Sequence, residues 1–303
     1  MELRHLRYFI AVAEEGSFSN AADHRLHTAQ PSLSRQIREL ELEVGAKLLE
    51  RKARGIALTA AGQVFLDYAR LVLLQIEAAC EAARRADRPA NPGFVVGFLS
   101  GQEVVWLMET LRILREEAPD TEIMVVSRSS PDLADALMQG RVDVAFLRRE
   151  RQTSGLAFKF LIDEPLVAIL PASHRLAARK SVRPQDLARE TFINPARLAP
   201  VLRSVISDYA AKTGITLKQK YESASLSAGM SLVVSTGGVT LLPRYVENVL
   251  IPSVVARPLQ GESPTIELVM GYNRSNTSPL LKRFLSRAEE LVAQVRPSSN
   301  LHQ

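Results

Sequence analysis

The chain has 303 residues, 46% of them apolar, enough for two or three compact domains with a sizeable core, which excludes wholesale disorder. Its formal charge of +5 admits nucleic acid as a partner without demonstrating it, and no apolar run reaches the roughly 18–20 residues of a membrane helix. A single cysteine, Cys80, leaves no internal disulfide and no cysteine-built zinc site; the N-terminus lacks the build of a signal peptide, so the expected location is cytoplasmic.

Charge does not mark the N-terminal region as basic, because residues 1–92 carry 13 Lys and Arg against 12 Asp and Glu. Any DNA-binding reading there rests on local arrangement. Leu3, Leu6, Ile10 and Ala13 recur at helical spacing, and Gly16-Ser17 stops that helix and caps the next. The second helix is short, residues 18–26, with the small residues Ala21 and Ala22 inside it. After a turn at His27-Thr28-Ala29, Pro31 opens a third helix, where its missing N–H costs nothing. Leu33, Ile37 and Leu40 form its buried stripe, and Gln30, Ser34, Arg35 and Arg38 share the opposite face. A short helix, a tight turn and a helix with Gln, Ser and Arg outward make a helix-turn-helix whose outer residues can read a major groove. Leu48/Leu49 and Ile56/Leu58 then flank a basic, glycine-containing tip, which reads as a β-hairpin wing presenting Arg51, Lys52 and Arg54 to phosphates or the minor groove.

Thr59 caps a long helix running to about residue 87, with an apolar line through Ala61, Val64, Phe65, Tyr68, Val72, Ile76, Ala79 and Ala83. A rod of roughly 42 Å is too long for a small winged domain to cover, and pairing with a second copy covers it. Residues 88–93 end the helix as a hinge.

Beyond the hinge, strands and helices alternate as in parallel βαβ units. The expected elements are strands at 94–99, 123–127 and 142–147 with helices near 103–117 and 132–138, then strands at 166–170, 217–221 and 239–242 with helices near 199–212 and 225–235. A strand at 266–271 and one final helix over 279–295 bring the chain back to the first lobe, with crossovers near 160–164 and 257–262. Ligands sit beyond the carboxyl ends of such strands. That nominates Ser100, Ser129 and Arg148 from the first lobe and Asn194, Ser225 and Ser227 from the second, hydroxyls with an arginine able to clamp a carboxylate. Plain loop and cap chemistry explains each serine equally well.

Several stretches resemble the LysR-type transcriptional regulators: Met1–Phe9, Gly16-Ser17-Phe18, Ala21-Ala22, residues 30–37, Leu40-Glu41, Leu48-Leu49-Glu50-Arg51 and residues 58–62. The resemblance implies that Gln30, Pro31, Ser32 and Arg35 contact base edges or the adjacent backbone and that Arg54 serves the wing; the residue pattern adds Ser34, Arg38 and Arg51, and Thr28 at the turn is counted with them as a candidate DNA contact. Residues 171–177 carry the resemblance, more loosely, into the second half, where it points to the branch regulating aromatic-acid catabolism and so to an aromatic carboxylate effector. It further implies a dimer through the long helix that assembles as a homotetramer, and leaves open whether the output is activation or repression.

The fold class expected is a winged helix-turn-helix followed by a two-lobed, periplasmic-binding-protein-like α/β domain. Its parts are 1–58 for DNA, 59–88 for the linker, and 89–303 for the effector, with lobe I at about 93–161 plus 265–295 and lobe II at about 162–264. Two departures from the family pattern stand out. Three residues, Asp23-His24-Arg25, separate the Ala pair from Leu26 where two are usual, so Ala21 is expected to lose its packing partner; and Ala29 occupies a capping position usually held by Ser, with Thr28 a substitute. No catalytic residue, metal site or cofactor is expected: Gly97–Gly101 has the wrong spacing for a nucleophile elbow, and the five His show no ligand pattern. The alternative is a transport-type two-lobed binding protein that does not read DNA.

Overall fold

The computed structural model describes residues 1–52, 55–86, 93–150, 153 and 155–295, and the side chains of Arg51, Ala78, Glu81, Ala82, Arg85 and Ala86 fall outside that description. The chain divides into two units, Met1–Ala83 and Arg84–Gln303.

In the first unit, α1 (Leu3–Glu15) buries Leu6, Phe9 and Val12. A single α-turn, α2 (Phe18–Asn20), is capped by Ser17 and continues as a π-helical turn over Ala21–Leu26. The third helix, α3 (Gln30–Val44), buries Leu33, Ile37 and Leu40. All three stripes meet in one core, where Phe9 also meets Phe65 edge to face at 5.3 Å. The π-turn absorbs the extra residue of the Asp23–Arg25 segment: the carbonyl of Ala22 accepts the N–H of His27, and of Thr28 at 3.1 Å. Ala21 and Ala22 therefore both stay fully buried and Leu26 still reaches the core, so Ala21 does not lose its packing as the sequence led us to expect. The cost falls on His27, which adopts a left-handed conformation at φ 47°.

The wing is an antiparallel hairpin of β1 (Leu49–Lys52) and β2 (Gly55–Leu58), in register from Leu49 opposite Leu58 to Lys52 opposite Gly55. Buried Glu41 of α3 anchors it, accepting from the N–H groups of Leu48 (2.9 Å) and Leu49 (3.1 Å) and from Lys47 Nζ (2.7 Å). Burial pushes that carboxyl up, but these three donors outweigh it and hold it below the ordinary glutamate value. Thr59 caps α4 (Ala60–Ala86) by accepting from Gly62 N–H at 2.9 Å. Gly62 is required there, since a Cβ would lie 1.9 Å from the Leu48 carbonyl oxygen. One side of α4 enters the core through Leu66 and Ala69, while Val64, Tyr68 and Val72 remain exposed on another.

The second unit begins with parallel β3 (Phe94–Leu99), then α5 (Glu103–Glu117), β4 (Ile123–Arg128), α6 (Ser130–Met138) and β5 (Val144–Leu147), with β3 between β4 and β5. The next strand, β6 (Leu156–Pro171), is 16 residues long. It replaces the expected crossover and separate strand with one continuous element serving both lobes. After it come α7 (Pro184–Leu187), β7 (Thr191–Asn194), α8 (Pro200–Lys212), β8 (Lys218–Glu222), α9 (Leu226–Thr236), β9 (Thr240–Pro243), a 3₁₀ segment (Arg244–Val249) and β10 (Val254–Pro258). The chain returns through β11 (Thr265–Asn273) and ends in α10 (Pro279–Ser286) and α11 (Ala288–Val295), two helices where one was expected.

The large sheet runs β10-β6-β11-β5-β3-β4, with β9 also paired to β6. The first half of β6 pairs with β11 and its second half with β9 and β10, all antiparallel. The second lobe is therefore only partly a parallel sheet: β7 and β8 make a parallel pair, and single parallel bridges join Phe192 to Val239 and Val182 to Leu259. The lobe I core stacks Phe98 on Phe146 at 4.7 Å under Trp106, and lobe II has its own core around Phe192, Leu202 and Ile206. Among the described residues no helix is long and apolar enough to cross a membrane.

Candidate nucleic-acid interface and ligand cleft

The outer face of α3 carries Arg35, Arg38, Pro31 and Ser32 exposed, with Thr28, Gln30 and Ser34 half-buried beside them. The Arg35 side chain is 77% exposed and leans along its own helix, its Nε 3.1 Å from Glu39. Such a pair is weak and gives way readily to a phosphate or base edge. Ala29 occupies the N-cap, where its methyl can make no capping bond, and among the described residues Thr28 does not substitute, its backbone N–H instead donating to the Ala22 carbonyl. The first-turn amides of α3 are thereby left as donors at the positive end of the helix, where an anion is favoured. Arg54 and the side chain of Arg51 lie outside the described residues.

In the second unit, four of the six nominated residues line one cavity of about 280 Å³: Ser100, Ser129, Arg148 and Ser225. Apolar side chains complete much of its wall, among them Leu99, Leu198, Leu226, Leu242 and Ile266. Asn194 does not join this group. Its Nδ2 donates to Gln219 Oε1 at 3.0 Å in a neighbouring groove with Arg203 and Ser207. Ser227 is instead held 3.1 Å from the hydroxyl of Ser225, which caps α9.

Arg148 corrects the expectation of a free carboxylate clamp. Its guanidinium is buried and ion-paired to buried Glu164, and its Nη1 donates to the Glu267 carbonyl at 2.9 Å. Glu164 also accepts from Gln102 Nε2 at 2.9 Å, and Gln102 Oε1 accepts from Trp106 Nε1 at 3.0 Å. Ser129 is similarly engaged, donating to Asp132 at 2.6 Å at the start of α6. The Arg148–Glu164 chain spans from the end of β5 to α5 and β6, and satisfies one of the most costly kinds of buried group.

Sequence reasoning missed two residues here. Tyr245, from the 3₁₀ segment, donates its hydroxyl to the Ser100 carbonyl at 3.0 Å, and burial pushes its phenol up to about 12. Its ring lies over Gly101, where a Cβ would approach to 2.9 Å. Glu150 follows β5 at the cavity wall; burial pushes its carboxyl up to about 7, and its Oε1 has no hydrogen-bond partner among the described residues. Both follow strands, Glu150 three residues after β5 and Tyr245 two after β9, so the strand-end rule was the signal that could have found them, though neither lies in a recognisable motif. Among the described residues no His, Cys, Asp and Glu group could hold a metal ion.

Comparison with known proteins accounts for both regions. Residues 3–63 match the bacterial regulatory helix-turn-helix protein family of the lysR type, and residues 88–293 match the LysR substrate binding domain. The chain is 36% identical to the Hca operon transcriptional activator HcaR of Escherichia coli (strain K12), over 97% of this chain and 99% of that one. It is 34% identical to the regulator AlsR of Bacillus subtilis (strain 168), covering 94% of each. Full-length BenM superposes with a TM-score of 0.58 at 27% identity over 97% of each chain. Full-length CbnR complexed with its target DNA superposes at 0.57 and 25% identity, over 96% of this chain and 100% of that one. The chain belongs to the LysR family: it is a DNA-binding transcriptional regulator with a small-molecule effector-binding domain.

Proposed function

We propose that this regulator is a transcriptional activator that reads its operator with the outer face of α3 and answers to an aromatic monocarboxylate held in the 280 Å³ cavity. The observation that carries the DNA half is the open α3 face, on which Arg35 is 77% exposed beside an uncapped helix N-terminus. Gln30, Ser34, Arg35 and Arg38 contact base edges, Thr28, Pro31 and Ser32 the adjoining backbone, and Arg51 and Arg54 the flanking phosphates. The exposed stripe Val64, Tyr68 and Val72 pairs α4 with that of a second copy, and two such dimers form a tetramer. Reading DNA, the protein works in the cytoplasm, and no reaction is assigned to it.

For the effector, an apolar wall with hydroxyls at one end suits a ring bearing a single carboxylate. HcaR, the activator of the Hca operon, and BenM are relatives of this chain. Ser100, the α6 start at Ser129 and the α9 cap Ser225 supply the polar end, and Arg148 supports the wall through Glu164 rather than clamping the ligand. The test is footprinting on duplex from the gene's own upstream region, with and without a panel of aromatic acids. A protected region whose extent changes with one acid supports the reading. Protection indifferent to every acid overturns the effector half, and no protection at low salt overturns the whole.

A further inference from the structure

The extra residue in the helix-turn-helix does more than widen a turn. The π-turn carries Asp23, His24 and Arg25 outward as an exposed polar run, and Arg25 ends it facing the last turn of α1. There Arg25 Nη1 lies 2.5 Å from Glu14 Oε2, with Glu15 a second neighbour at 4.0 Å. The other oxygen of Glu14, Oε1, takes Arg70 Nη2 of the linker helix α4, also at 2.5 Å. Each carboxylate oxygen of one residue thus holds one guanidinium, and the three side chains join α1, the reading motif and the linker helix.

We infer that Arg25, Glu14 and Arg70 form a strut that fixes the angle between the DNA-reading motif and the linker helix, making Glu14 a positioning residue for half-site spacing. The inference rests on the proposed pairing of two copies through α4. In that dimer the linker helices set the distance between two reading heads, so a small rotation of each head about its linker becomes a change in the spacing it accepts. The core contacts of Leu66 and Ala69 hold the head against α4 but are apolar and non-directional, whereas a carboxylate bridging two guanidiniums prescribes direction. Glu14 takes both arginines, so its loss releases Arg70 and leaves Arg25 with only the 4.0 Å contact to Glu15 among the described residues. Consistent with that role, its carboxyl lies below the ordinary glutamate value: burial raises it, and the hydrogen bonds from Arg70 and Arg25 more than compensate. The strut residues are 30–43% exposed, so its effect is graded and salt-sensitive, a few-fold rather than orders of magnitude.

The experiment uses the full-length chain and duplex selected by the wild-type protein from random sequence. Affinities are measured for a single half-site and for paired half-sites whose spacer changes by one base pair at a time. Wild type should favour one spacing, and Glu14→Gln should bind the single half-site as wild type does while its preference for that spacing falls about threefold. Arg25→Gln should broaden the profile partly, and Arg25→Lys, which keeps the charge, should restore it. Raising salt should flatten the wild-type profile toward that of Glu14→Gln. An unchanged spacing profile in Glu14→Gln overturns the strut. A loss of single half-site binding in Glu14→Gln together with a wild-type spacing ratio overturns it too, by making Glu14 a determinant of folding only. A wild-type protein with no spacing preference at all overturns instead the dimeric reading on which the strut depends.

Discussion

The two regions that carry function treat their polar side chains in opposite ways. On α3 the arginines are left in solvent, and the pair of Arg35 with Glu39 lies on the surface. In the cleft the charged groups are already matched: Arg148 with Glu164, Glu164 with Gln102, Ser129 with Asp132. A surface that waits for a polyanion gains from exposed cations, since their release of counterions drives binding. A cavity that selects a small molecule gains from walls held by matched buried charges such as Arg148–Glu164, and Glu150 is the exception, its carboxyl raised by burial instead of paired. The difference teaches that arginine in this chain has two jobs, and that exposure, more than sequence position, separates them.

Breaking the buried pair should have the largest effect. Arg148→Met leaves Glu164 buried with only Gln102 as partner and should cost about 3–5 kcal/mol of stability in the second unit, measured by chemical denaturation. Adding Glu164→Gln should recover much of that loss; a single mutant as stable as wild type would remove the contrast between cleft and reading face. Next comes Glu41→Ala, which strips two backbone N–H groups of their acceptor and should destabilise the winged unit by about 2–3 kcal/mol. Because Glu41 titrates below its unfolded value of 4.5, its contribution is present above about pH 4.5 and is lost as the pH falls through its lower folded value. The acid limb of the wild-type melting profile should therefore flatten in the mutant.

Smaller effects sharpen the account of the cleft. Ser100→Ala should weaken binding of an aromatic monocarboxylate by about 0.5–1.5 kcal/mol in calorimetry, while operator affinity without effector stays unchanged. Smallest is a pH effect. Glu150, pushed up to about 7, is neutral below that pH and can donate to an anionic ligand, but is charged and repulsive above it. Effector affinity should fall as the pH rises through about 7, by less than tenfold because the group is only half-buried, and Glu150→Gln should level the profile. Asp132 and Arg148 border the same cavity and Arg149 is adjacent in sequence, so the charge around Glu150 is mixed; a slope that persists in Glu150→Gln would show that Glu150 is not the group that titrates.

The sequence was most legible where periodicity and turn chemistry agree. Leu33, Ile37 and Leu40 against Arg35 and Arg38 define α3 and its outer face, and Thr59 marks the start of α4. Less legible were features decided by long-range pairing. Nothing in residues 156–171 announces one strand shared by two lobes, because a sheet edge is defined by its partners β9, β10 and β11. Four cleft residues could be named because they follow strands or start helices; Asn194, chosen by the same rule, belongs to another groove because β7 pairs only with β8 and a single bridge. Arg148 follows a strand and so reads as a cleft residue, but its availability to a ligand depends on Glu164, sixteen residues away and unremarkable in sequence. The three-residue Asp23–Arg25 segment was visible, whereas its solution as a π-turn depended on keeping Ala21, Ala22 and Leu26 in one core.

The most direct test is a fluorescence-anisotropy titration of labelled upstream duplex across a range of salt, with wild type and Arg35→Ala side by side. Wild-type affinity should drop steeply with salt, and Arg35→Ala should lose about 1–3 kcal/mol on the specific duplex but far less on a scrambled one. Equal isotherms for the two proteins on both duplexes would contradict the claim that α3 presents its arginine face to DNA.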